Sequence, residues 1–150
     1  MSQRIFWILL FTVSLGFSQS TEHEVKKTID NFFEGLHKGD TVLLKRVMHP
    51  EIKMQTTFIN KEGLAELRTS TTDQFLKSVS SKKEEDKWFE KLLSYNIQID
   101  ANLASVWTPY EFYINENFSH CGVNSFQLVK LKTGWVITYL IDTRRRGSCT

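Results

Sequence analysis

From Thr21 onward, Val25, Ile29, Phe32, Phe33 and Leu36 recur at spacings of four, three, one and three. They mark one apolar stripe of a helix running to about Lys38. Thr21, with Glu24 three residues on, reads as a capping box at its start. Gly39 suits the left-handed position that ends a helix, and Asp40 can cap the next. That second helix is short, with Val42, Leu43, Leu44, Val47 and Met48 as its apolar side, and Pro50 stops it. His49 then falls at a helix C-terminus, where a protonated imidazole is favoured, so a cap suits it better than a catalytic base.

The pattern then changes period. Ile52 to Ile59 alternates and carries β-branched residues, Asn60 to Gly63 is a turn, and Leu64 to Arg68 returns as a short strand, with a helical reading close behind. Thr71 or Thr72 caps a brief helix through Val79, and the mixed charges of Ser78 to Lys87 mark a solvated loop. Trp88 to Ile99 reads as a strand. From Ser105 to Arg146, three β-rich, aromatic-rich runs separated by short turns predict an antiparallel meander. Helices first and sequential strands afterwards define an α+β domain, with helices packed across one face of a curved antiparallel sheet.

The meander carries polar residues where a core is expected. With Leu131 opposite Trp135, Asn124 lies opposite Asp142 and Phe126 opposite Leu140. His120, Asn124, Asp142 and Arg144 then form a polar strip on one face, while Val123, Val129, Ile137, Tyr139 and Ile141 line the other. Glu111 has two readings. A three-residue loop at Asn115–Asn117 sets it opposite Cys121, and a two-residue loop moves it to the face of His120.

The chain has 150 residues, 41% hydrophobic and 13% aromatic, enough for one domain with a real core. A formal charge of +2 offers no nucleic-acid footprint, and Arg144-Arg145-Arg146 is too short to supply one. Met1 to Ser18 has a basic start, an apolar run from Ile5 to Phe17 and small residues after it. This is the pattern of a signal peptide cleaved after Ser18 or Ser20, leaving residues 19–150 as the domain. The run is too short to span a membrane, so no anchor is expected after cleavage and the protein is exported, periplasmic or secreted. The removed part carries Arg4 alone, leaving 18 basic and 17 acidic residues. In that compartment Cys121 and Cys149 read as a disulfide, with two free thiols as the alternative. No metal-ligand spacing, phosphate-cradling glycine loop or nucleophile elbow occurs, so no metal and no cofactor is expected.

His37-Lys-Gly-Asp40 with His49-Pro50, Ser105-Val-Trp-Thr-Pro-Tyr-Glu-Phe-Tyr113, Ser119-His-Cys-Gly-Val-Asn-Ser-Phe-Gln-Leu128 and Ile141-Asp-Thr-Arg144 carry a family likeness. The chain resembles the nuclear transport factor 2-like superfamily, shared with SnoaL-like cyclases, and within it the family catalogued as putative lumazine-binding. The resemblance implies a cone-shaped fold, a pocket between the concave sheet face and the first helices, and a homodimer formed through the sheet. It names no reaction, because one superfold hosts many. The expected partner is a small, partly apolar molecule, with Trp107, Tyr110, Glu111, His120, Asn124, Asp142 and Arg144 as candidate pocket residues. The alternative is a cofactor-independent isomerase, dehydratase or cyclase using Glu111, His120 or Asp142 as general base.

Overall fold

The computed structural model describes residues 12–147 and 149. The expected leader, Met1 to Ser18, lies outside the described residues apart from the helical backbone from Thr12 onward. Helix α1 spans Thr12–Lys38. It passes straight through Thr21, which is therefore not the N-cap: a preceding helical turn already supplies acceptors for the N–H groups that a cap would serve. The stripe buries as expected, with Val25 and Ile29 fully covered and Phe32, Phe33 and Leu36 beside them. Gly39 closes α1 at φ +72°, with the Asp40 N–H returning to the Gly35 carbonyl at 2.8 Å. The Asp40 carboxylate accepts the Val42 and Leu43 N–H groups at 2.9 Å each and starts α2, Thr41–Val47.

The next element, β1, spans Met48–Ile59, so His49 and Pro50 open a strand rather than close a helix. His49 Nδ1 accepts the Glu51 N–H at 3.2 Å. Strand β2, Ala65–Ser70, completes the hairpin, and a capping box between Thr71 and Gln74 starts α3, Thr72–Ser80. The stretch expected as one strand is two, β3 (Trp88–Leu92) and β4 (Asn96–Asp100), both paired with β5 (Leu103–Ile114). Pro109 of β5 explains the break. Its carbonyl takes the Leu93 N–H at 2.9 Å, but it has no N–H to return, so the ladder stops there.

Strands β6 (Asn117–Leu131) and β7 (Gly134–Arg144) complete a seven-stranded sheet of order β2-β1-β7-β6-β5-β3, with β4 beside β5. All neighbours are antiparallel except β1 and β7, which run parallel. The class is α+β, with the sheet mixed at that one junction. At the β5–β6 turn Ile114 pairs with Asn117, leaving Asn115 and Glu116, at φ 52° and 67°, as a type I′ turn. Ser119 then bulges out of the ladder, so Glu111 nevertheless meets Cys121 and Phe112 meets His120. The β6–β7 turn does the same. Leu131 pairs with Gly134 rather than Trp135, Thr138 bulges, and Asn124 still meets Asp142. Ile137 lies between that turn and that bulge, so it turns into the core opposite Leu128 instead of joining Tyr139 and Ile141.

An aromatic cluster fills the space between α1 and the central strands. Phe32 packs edge-on to Phe33 and Phe126 and flat against Phe75, at ring separations of 5.3, 5.8 and 5.8 Å. Cys121 and Cys149 form a disulfide that ties the tail to β6. At Gly122 a Cβ would stand 1.8 Å from the Thr143 carbonyl oxygen, so only glycine lets β7 fold in over β6. Among the described residues no helix is long and apolar enough to cross a membrane.

Candidate functional site

The concave face carries a polar network where β1, β5, β6 and β7 meet beyond the aromatic core. Asp142 is its hub. One carboxylate oxygen accepts the Thr56 hydroxyl at 2.5 Å, and the other accepts Arg144 Nε at 2.9 Å and the Tyr110 hydroxyl at 3.2 Å. The Tyr110 proton is shared with the Thr143 carbonyl at 3.0 Å. Burial, and then the Asp142 and Glu90 carboxylates, push the Tyr110 phenol well above its ordinary range. His120 packs against Tyr110 and Phe112, with ring centroids 5.8 and 5.0 Å away. Burial, reinforced by Arg144, lowers its imidazole to about 4, so it is neutral at pH 7. With both Asp142 oxygens occupied by three donors, this hub is a poor general base, and the geometry does not favour the isomerase alternative.

Glu90 on β3 reaches this network from the side. Its Oε1 accepts the Asn124 amide at 2.7 Å, and its other oxygen has no hydrogen-bond partner among the described residues. Burial raises its carboxyl to about 8, the Asn124 bond and the Arg144 charge opposing and the Asp142 charge adding to the shift. The Glu90 backbone N–H lies on the free edge of the sheet and is taken by His37 Nε2 at 2.8 Å. A histidine that accepts there carries its proton on Nδ1 and is neutral, in keeping with a pKa lowered by burial and by Lys82.

That edge borders a groove of about 410 Å³ between α1 and β3, whose walls include Phe33, His37, Phe89, Glu90, Leu92 and Tyr95. His37 sits between Phe33 and Phe89, at 6.2 and 5.2 Å between rings. The Tyr95 hydroxyl is held by Asp30, and Lys26 covers the Tyr95 ring at 4.4 Å. A second cleft of about 430 Å³, lined by Lys82, Lys83, Lys87 and Trp88 among others, shares His37 and Lys38 with it. Among the described residues no group of His, Cys, Asp and Glu is placed to hold a metal ion.

Residues 20–139 match the family described as "Putative lumazine-binding". The chain belongs to the putative lumazine-binding family. Its architecture matches that of solved nuclear transport factor 2-like proteins. One from Novosphingobium aromaticivorans has TM-score 0.70 at 10% identity, covering 96% of this chain and 94% of that one. A second, from Cytophaga hutchinsonii, has TM-score 0.67 at 12% identity over 83% and 98%. A third, from Salmonella enterica, has TM-score 0.66 at 18% identity over 87% and 95%. At these identities the likeness establishes the fold alone. A comparison with curated proteins finds no match.

Of the candidates drawn from the sequence, the fold brings Tyr110, His120, Asn124, Asp142 and Arg144 into one cluster. Trp107 and Glu111 lie on the opposite face. Trp107 is 53% exposed, and Glu111 is engaged by Tyr113 at 2.8 Å and Lys91 at 3.4 Å. Sequence reasoning missed Glu90, His37 and Thr56. The signal for Glu90 was present: Trp88, Glu90 and Leu92 alternate with Phe89 and Lys91, which puts a carboxyl on an otherwise apolar face.

Proposed function

We propose that this chain is an exported, periplasmic or secreted, small-molecule-binding domain whose ligand lies in the groove between α1 and β3. The observation that carries the proposal is a groove of about 410 Å³ whose walls bring Phe89 and Tyr95 together with His37 and Glu90. Ligand pockets combine mostly apolar walls with a few polar groups in volumes of roughly 300–1,000 Å³. The exposed ring of Phe89 suits a planar, partly apolar heterocycle, and the family description supports a lumazine as the first molecule to try. Export is supported by the basic, apolar and small-residue order of Met1 to Ser18. After cleavage at Ser18 or Ser20, Thr21 would stand at the start of the mature helix, and its capping role would become available. The outer sheet face exposes Leu103 and Trp107, where a second copy would pack. Light scattering of the mature protein reads that assembly, and a strict monomer sinks it.

Calorimetric titration with a lumazine tests the placement of the ligand. Phe89→Ala should weaken binding about tenfold, while Trp107→Ala, on the far face, should leave it unchanged. The reverse result would move the site to the outer face.

A further inference from the structure

We infer that the groove reads its ligand with the free backbone edge of β3: the Glu90 carbonyl accepts from, and the Leu92 N–H donates to, a planar heterocycle carrying a lactam or imide. The ligand takes the place that a further strand would occupy, and the groove selects rings that set an N–H beside a carbonyl. This inference rests on the reading that the groove is the ligand site.

The register of β3 decides which way its backbone points. Leu93 donates its N–H to the Pro109 carbonyl and Asn115 donates to the Lys87 carbonyl, both at 2.9 Å. Between them, in the same register, Phe89 lies opposite Tyr113 and Lys91 opposite Glu111. Those residues turn their N–H and C=O groups toward β5. In an antiparallel ladder the alternate residues turn theirs away, so Trp88, Glu90 and Leu92 face the free edge. Glu90 shows this directly, because its N–H is met from α1 by His37 Nε2 at 2.8 Å. The next two groups along the edge, the Glu90 carbonyl and the Leu92 N–H, have no partner among the described residues.

The edge is open where the groove lies. Two ties join α1 to this side of the sheet: His37 to the Glu90 N–H, and Asp30 to the Tyr95 hydroxyl. His37 and Asp30 are seven residues apart on α1, so the ties bracket an opening about 10 Å long. Leu92 lies between Glu90 and Tyr95 in the chain, and all three line the groove with His37. An opening of that length suits a two-ring heterocycle and is short for an added strand, which runs about 17–20 Å. A lactam satisfies the free carbonyl and the free N–H together. A ring alkylated at that nitrogen leaves the Glu90 carbonyl unpaired against the ligand, and such sites reject analogues that lack the bonding group.

The test uses lumazine at pH 6.5, where its imide is neutral, beside 1-methyllumazine, which keeps the N–H between two carbonyls, and 3-methyllumazine, which does not. 1-Methyllumazine should bind within about threefold of lumazine, and 3-methyllumazine about tenfold more weakly. Amide hydrogen exchange reads the edge itself. The Leu92 amide should exchange freely in the unliganded protein and slow about tenfold under saturating lumazine, while the Lys91 amide, inside the ladder, is slow throughout. Leu92→Pro deletes one outward N–H, which an edge strand tolerates, and should bind lumazine about tenfold more weakly than Leu92→Ala, with circular dichroism checking that both fold. Equal binding of 3-methyllumazine, equal binding by the two Leu92 variants, or a Leu92 amide that lumazine leaves unchanged would each overturn the inference. The groove reading survives those outcomes as long as Phe89→Ala still weakens binding. Absence of binding by all three compounds, up to millimolar probe, would instead remove the groove reading and the inference with it.

Discussion

Asp142 and Glu90 are two acidic side chains on the same concave face, joined through Asn124, and the fold treats them in opposite ways. Asp142 sits in the centre of the meander, where Thr56, Tyr110 and Arg144 converge from three strands and fill both of its oxygens. Glu90 sits at the edge of the sheet, where β3 has no further strand beside it and α1 stands off far enough to leave a groove. It receives one donor. A carboxylate ringed by donors ties strands together, whereas one with a single donor keeps spare bonding capacity. Position in the sheet, rather than residue type, decides which acid is saturated.

The contrast is broken most directly at its structural pole. Asp142→Ala strands three donors in a buried site and should cost about 3–5 kcal/mol of unfolding free energy, read by urea denaturation. A variant that kept wild-type stability but lost ligand would reverse the two assignments. Next in size is the tie between the meander and the tail. The Cys121–Cys149 bridge spans 28 positions of sequence, and Cys149→Ser should cost about 3–4 kcal/mol on the chain-entropy account. Ligand affinity should survive, because the groove lies at another edge.

Much of the structural pole was legible in the sequence. The pairing of Asn124 with Asp142 follows from counting back from the β6–β7 turn, although that turn is one residue shorter than counted, and the β5–β6 turn is the shorter of its two readings. Each is followed by a one-residue bulge, at Thr138 and at Ser119, that restores the longer count beyond it. Only residues trapped between turn and bulge are misplaced, and Ile137 is the one that shows it. The sheet edge at Glu90 was less legible. The break between β3 and β4 is imposed by Pro109 on a different strand, and the parallel pairing of β1 with β7 joins segments far apart in the chain. Glu90 acquires its role only when α1 and β6 close around it. Such placements are tertiary, and hydrophobic period carries no trace of them.

Acid distinguishes the two kinds of group by sign. His120 has its pKa depressed in the fold, from 6.5 to about 4, so the unfolded chain binds its proton first. Its contribution is complete above about pH 6.5 and is lost as the pH falls toward 4. Glu90, raised from 4.5 to about 8, runs the other way: its contribution is complete below 4.5 and fades as the pH climbs through 8. His120→Gln should therefore flatten the acid side of the stability profile, sparing about 1–3 kcal/mol at pH 4, and leave the alkaline side unchanged. A variant that flattened the alkaline limb instead would show that the two groups are not independent.

The smallest expected effect is also the sharpest control. Glu111 and Glu90 sit on neighbouring strands one register step apart, since Lys91 pairs with Glu111 and Glu90 with Phe112. That single step puts Glu111 on the outer face, where the Tyr113 hydroxyl and Lys91 hold its carboxylate below the ordinary range, in contact with solvent. Glu111→Gln should leave the melting temperature and both limbs of the stability profile where they were, because screened surface pairs contribute little. Glu90→Gln should flatten the alkaline limb. If the two variants behaved alike, the register of β3 on β5 would no longer separate the faces, and that pairing would be the first feature to re-examine.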